Sequence, residues 1–232
     1  MNEATFSKDP ASIEFNSSMG TETGRKARLG DPDNADRVHP QIAPHVRAAH
    51  TAFVNGHATV ARLGEDETRT SPLKHEAART VALRAVAAIE NAQQSIVAAA
   101  HEFETDAEDT ITRFFAADPA RAVIQLEIGK WIGETAKAKE GLQRIRTEMK
   151  NDPEIVIVLQ HSKPYIMGLA SDVRDRLLED GYRMHQPDAM RKIDDAIAMR
   201  ELAAKYPKVT KGIRSSWFNN AIAEKAKSRV EI

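Results

Sequence analysis

The chain has 232 residues, a formal net charge of −1, no cysteine, and 41% hydrophobic but only 5% aromatic residues. The absence of cysteine excludes disulfides and thiolate metal sites, and the balanced charge excludes a global pull toward nucleic acid or acidic lipid. A core that is aliphatic and alanine-rich suits helices better than sheets.

Residues 1–37 read as a disordered polar tail, rich in Ser, Thr, Asn, Asp, Gly and charge with no sustained period. Met1–Asn16 holds no apolar run of the kind a secretory signal needs. The longest apolar run, Ile155–Leu159, is far shorter than a membrane span. The expectation is a soluble protein, cytoplasmic or built into a particle, not secreted by a signal peptide and without a membrane partner.

Residues 38–70 should hold a short helix over 40–63, followed by a charged linker. Val46, Ala49, Phe53 and Val60 supply its apolar stripe, and Pro44 is a candidate break. His39, His45, His50 and His57 fall here, but no two are four apart, the spacing that lets two imidazoles share one ion on a helix face. They are expected to face solvent or a partner, and no metal or other cofactor is expected.

Residues 71–150 organise the chain as a long antiparallel helical hairpin of coiled-coil character. On the second arm Ile124, Ile128, Trp131, Thr135, Ala138, Leu142, Ile145 and Met149 alternate four and three apart, a heptad seam. On the first arm Ala82, Ile89, Ile96 and Phe103 recur every seven, with Ala85, Ala92 and Ala99 between them. Ser71-Pro72, Asp118-Pro119 and Asp152-Pro153 each place a capping side chain before a proline suited to a first helical turn. Asp118-Pro119 is then the turn between the arms. Opposite the seam, Leu126, Gly129, Gly133 and Ala136 form a small-residue face that is either tolerated surface or a close contact with a second helix, from this chain or another subunit. Ala92, Ile96, Phe103, Ile124, Ile128, Trp131, Gly129 and Gly133 are therefore the candidate seam and interface residues. The first arm ends on Glu102, Glu104, Asp106, Glu108 and Asp109. This cluster lacks the Glu-x-x-His motif of a di-iron bundle and the glycine of a Ca²⁺ loop, and it reads best as a solvated face.

Residues 151–232 should form a C-terminal helical region with a basic end. Ile155–Leu159 is strand-like by propensity, but its proline cap and lack of a partner strand favour a short buried helix. Ile166, Leu169, Val173 and Leu177 mark a helix ending at Gly181. Met190, Ile193, Ile197 and Ala204 mark another, from Pro187 to just before Pro207. Tyr206–Ser215 then reads as a charged connection, too long for a helix-turn-helix. Lys205, Lys208, Lys211, Arg214, Lys225, Lys227 and Arg229 face a single acid, Glu224, with Tyr206, Trp217 and Phe218 interleaved. Basic residues with aromatics can hold phosphates and stack on bases. The same pattern also describes a helix whose aromatics pack inward while its lysines stay in water.

No phosphate loop, nucleophile elbow, zinc-protease or kinase signature occurs, so no catalytic residue is assigned. The fold class expected is all-α: a helical hairpin with shorter helices and a polar tail. That character is met in particle components such as tailed-phage connector, scaffold or internal virion proteins, although no motif carries a resemblance to one family. The function expected is non-enzymatic assembly, as a homo-oligomer or on a larger protein complex. The alternatives are nucleic-acid binding through the C-terminal segment and a helical enzyme with a non-local site.

Overall fold

The computed structural model describes residues 6–38 and 40–227. The protein is all-α, and among the described residues there is no strand. The chain divides into two compact units: Met1–His101 with Ala196–Ile232, and Glu102–Asp195. One long helix, Ser71–Phe114, contributes to both units, so the two units cut across the four consecutive segments read from the sequence.

In the first unit, α1 (Pro10–Gly20), α2 (Glu22–Leu29), α3 (Ala35–Val38) and α4 (Ala43–Glu65) precede α5 (Ser71–Phe114). The polar tail expected over 1–37 is thus helical from Pro10 onward, while Met1–Thr5 lie outside the described residues. Composition hid three apolar anchors, for Phe15, Met19 and Leu29 are all buried. Asp9 caps α1 by accepting from the Ser12 N–H at 3.0 Å, and Pro44 sits in the first turn of α4 rather than breaking it.

The chain returns to this unit through α10 (Pro187–Ala203), α11 (Tyr206–Ser216) and α12 (Asn220–Glu224). The connection expected at Tyr206–Ser215 is α11: Tyr206, Val209 and Ile213, spaced three and four, are fully enclosed, and their charged neighbours point out. Tyr206 donates to the Leu29 carbonyl at 2.9 Å, tying α11 to the end of α2. Its burial pushes the phenol well above its ordinary value. The buried Lys74 donates to the Gly64 carbonyl at 3.0 Å, satisfying an orphan acceptor at the end of α4.

The alanine-alternated stripe of α5 closes in this unit. Ala82, Ala85, Ile89, Ala92 and Ile96 are all buried, and a Cβ placed on Gly56 of α4 would lie 3.3 Å from that of Ala85. Small residues on both helices let the backbones approach. At Ala85 the helix across this stripe is therefore α4, rather than the return arm of the hairpin. Arg214 of α11 pairs with Glu90 on the same helix at 2.9 Å.

In the second unit, the end of α5 turns at 115–118 into a short 3₁₀ turn, Pro119–Arg121, which Asp118 caps through the Ala120 N–H at 2.9 Å. The return arm follows as α6 (Ala122–Thr135) and α7 (Gly141–Met149), then α8 (Glu154–His161), a 3₁₀ turn at Pro164–Ile166, and α9 (Ser171–His185). Ala107, Ile111 and Phe115 from α5 and its turn share one apolar cluster with Ile132, Ile145 and Met149 of the return arm, so the hairpin closes here. The second arm breaks at 136–140. Gly141 permits the break, since a Cβ there would lie 1.8 Å from the Thr135 carbonyl oxygen.

Ile155–Leu159 is helical and enclosed, with Ile155, Val156, Val158 and Leu159 buried. Arg174 donates to the Leu159 and Gln160 carbonyls at 2.9 and 3.0 Å, supplying donors at the C-terminus of α8. Gly181, expected as a helix stop, lies inside α9, where Val156 packs against its bare backbone.

Candidate docking face on α6

On α6 the glycines meet the chain itself, one of the contacts expected of them, while part of the seam expected to close the hairpin stays open. The small-residue face is covered from within the chain at its glycines, while Leu126 stays 58% exposed. A Cβ on Gly129 would meet Val158 of α8 at 3.6 Å, and one on Gly133 would stand 2.7 Å from the Met167 carbonyl oxygen. Ile132, on the same face, is fully buried. The glycine pair thus makes an intrachain contact.

The heptad stripe on the opposite face stays partly open, with Ile128 and Trp131 resting one side against the apolar cluster. Ile124 keeps 51% of its surface exposed and Val123 76%, while Ile128 and Trp131 are half-buried. Further along, Ala138 is exposed, Leu142 is half-buried, and Ile145 and Met149 are enclosed. The break at 136–140 rotates α7 about its axis relative to α6. One continuous sequence stripe therefore splits into an open half and a closed half.

The open half floors a cleft of about 600 Å³. Val123, Ile124, Ile128, Trp131 and Ile155 supply its apolar lining. Glu127, Glu148, Asp152 and Arg144 supply its polar lining. A second cleft of about 650 Å³ adjoins it, sharing Trp131, Arg144 and Glu148 and adding Glu134 and Glu140. Together they form a trough along α6 and α7 with Trp131 at its middle. Glu127 is engaged by Lys130 at 2.7 Å, an exposed pair at i,i+3 of a kind worth little in water. At the end of the trough Asp152 accepts from the Glu154 N–H at 2.9 Å, and Glu154, itself buried, holds Gln125 at 2.8 Å and Arg121 at 3.2 Å.

The rim carboxylates were not singled out from the sequence, although a signal was there. Glu127, Glu134 and Glu148 recur on a seven-residue grid one position before the seam residues Ile128, Thr135 and Met149. These are the flanking positions that set partner choice in coiled coils.

The other candidates lie elsewhere. Ala92 and Ile96 are core residues of the first unit, and Phe103 is half-buried in the second. Among the basic residues, Lys205, Lys208, Lys211, Arg214, Lys225 and Lys227 are exposed, while Arg229 falls outside the described residues. Tyr206 and Trp217 are fully enclosed and Phe218 nearly so, which leaves no aromatic of this group free to stack on a base.

Of the histidines expected to face solvent or a partner, His50 and His57 are drawn inward. His50 is buried and donates to the Gly30 carbonyl at 2.7 Å, while His57 stacks between Phe6 and Phe53. Burial lowers both imidazoles below their ordinary value. His39 lies outside the described residues. Asp106 of the acidic cluster pairs with Lys192. Among the described residues, no group of three or more histidines and carboxylates is arranged to hold a metal ion, and no helix is long and apolar enough to cross a membrane.

Comparison of the chain with protein-family models, with curated proteins and with solved structures finds no match in any of the three.

Proposed function

We propose that the chain is a non-enzymatic helical assembly protein that docks through α6 onto a copy of itself or onto a larger protein complex. Such a role would place it in the cytoplasm or inside a particle, as a connector, scaffold or internal virion component. The observation that supports this reading is the partly open stripe of Ile124, Ile128 and Trp131 at heptad spacing, with Val123 exposed beside it, on a helix whose glycines are already covered. Covering a large aliphatic or aromatic side chain gains about 1.5–3 kcal/mol, so the surface left on these side chains is a driving force for association. The test is the absolute mass of the full-length chain by light scattering at low and high salt, beside an Ile124→Glu variant. A defined assembly that persists in high salt and is lost in the variant is the expected result for self-association. For docking on another protein, the chain is a monomer alone and loses its partner when Ile124 is replaced.

A second reading, nucleic-acid binding, has the exposed ridge of Lys205, Lys208 and Lys211 beside α11 in its favour. With the aromatics enclosed, it would rest on phosphate contacts alone. Binding would then fall steeply with salt and weaken in a Lys208→Gln, Lys211→Gln variant. A shift assay with single-stranded DNA at low salt decides it, and no shift there removes the reading.

A further inference from the structure

We infer that the trough on α6 and α7 takes one amphipathic helix of another protein, with lysine or arginine flanking its apolar stripe. This rests on the reading of α6 as a docking face and names the chemistry of the occupant.

The shape points to a helix. The floor residues Ile124, Ile128 and Trp131 are spaced four and three, the spacing of one helix laid along another. The trough is continuous past Trp131 into the cleft against α7. Trp131 offers a large amphipathic surface at its centre, the side chain most enriched at interface hot spots.

The charge points to a basic occupant. The trough is lined by the carboxylates of Glu127, Glu134, Glu140, Glu148 and Asp152 against the one guanidinium of Arg144. The net charge of the whole chain is only −1, so this is a local bias. Glu127 and Glu134 flank the stripe along α6, where a bound helix would bring its own flanking residues. The pairing of Glu127 with Lys130 is exposed and can be exchanged for a partner's cation.

The same geometry disfavours a second copy. Antiparallel pairing of α6 with itself would set Glu127 and Glu134 against their own equivalents, a like-charge contact. The chain's own basic helix, α11, has its apolar face enclosed in the first unit and presents only its lysines.

The experiment uses the full-length chain and two fluorescent helical peptides of about three heptads, each below the concentration at which it self-associates. Both carry leucine along one face. One is flanked by lysine, the other by glutamate. Binding is read by peptide anisotropy and by Trp131 emission, with the fully buried Trp217 as an unchanging background. The expected result is saturable binding of the lysine peptide, a blue shift, and about tenfold or weaker binding of the glutamate peptide. The double variant Glu127→Lys, Glu148→Lys should reverse that preference, a result that general stickiness of lysine cannot produce. Both sites are exposed, so the fold is kept. Equal binding of the two peptides, or a preference that survives the reversal, overturns the basic-helix assignment. If Ile124→Ser still abolishes that binding, α6 remains a docking face. A stable dimer of the unmodified chain that dissociates in Ile124→Ser overturns the assignment in favour of a second copy and leaves the assembly reading standing. A monomer that binds neither peptide overturns the basic-helix assignment, and if Ile124→Ser also changes no association of the chain, the reading of α6 falls with it.

Discussion

On α5, Ala82, Ile89 and Ile96 have no surface left to solvent, whereas on α6 Ile124 keeps 51% and Val123 76%. Both stripes recur at the spacing of a coiled-coil seam, and the structure treats them in opposite ways. The difference lies in what each helix finds across from it. The α5 stripe alternates alanine with isoleucine, and α4 brings Gly56 to within contact of Ala85, so two backbones close together with little between them. The α6 stripe carries isoleucine and tryptophan up to Thr135, and α6 spends its small residues, Gly129 and Gly133, on the other face, against α8 and the Met167 carbonyl. A helix with two contact faces can satisfy only one of them against α8, and the remaining stripe stays open.

The sharpest way to break this comparison is to remove a side chain from the closed stripe. Ile89→Ala should lower the unfolding free energy by about 2–5 kcal/mol, the cost of lost burial plus a residual cavity. Urea denaturation reads it directly, and a loss under about 1 kcal/mol would mean that Ile89 is not in a close-packed core.

The glycine face of α6 offers a pair of opposite sign. Gly133→Ala drives a Cβ to 2.7 Å from a backbone oxygen, and should destabilise by about 1–3 kcal/mol through overpacking. Gly129→Ala meets only Val158, at 3.6 Å, and should stabilise by up to about 1 kcal/mol through helix propensity. If both changes stabilise, α6 is not held against the Met167 turn.

The enclosed region also answers to pH. His50 and His57 have imidazoles lowered below their ordinary value of 6.5, chiefly by burial, with the guanidinium of Arg25 acting in the same direction. A base whose folded value is lowered favours the folded state while neutral. The stability is therefore fully present above about pH 6.5 and is lost as pH falls from there toward the folded values. The urea midpoint should drop between pH 7.5 and pH 5.5, and less so in His50→Gln. A midpoint independent of pH in this window would contradict the enclosure of these rings.

The smallest effect is on the open side. Ile124→Ala should change the stability of the isolated chain by no more than about 0.5 kcal/mol, because about half of the side chain stays in water after folding.

The helices were legible in the sequence where period and punctuation agreed. Ser71-Pro72 opens α5, Asp118-Pro119 marks the turn, and the β-branched run at Ile155–Leu159 is helical as its proline cap suggested. The stripes were legible as stripes, but a heptad pattern records that a helix lies alongside, and says nothing of which helix. That is why the α5 stripe was matched to the return arm when α4 meets it. Which helix meets the glycines of α6 was not legible for a related reason: glycine carries no hydrophobic signal, yet it permits the closest backbone approach. α1 and α2 were hidden because single anchors, Phe15, Met19 and Leu29, hold polar helices in place. The rim carboxylates had a period, seven, that becomes informative only once the stripe beside them is known to be open.

The most direct test of the open stripe uses the chain's two tryptophans, one on each side of the comparison. Acrylamide quenching of the dilute full-length chain should resolve two populations: Trp217, which is fully enclosed, and Trp131, which is partly exposed at the floor of the trough. Adding a docking partner or the lysine-flanked peptide should then shield Trp131 to the level of Trp217. A monomeric chain in which both tryptophans are equally shielded from the start would contradict the structure of α6, because the stripe would already be covered by the chain itself.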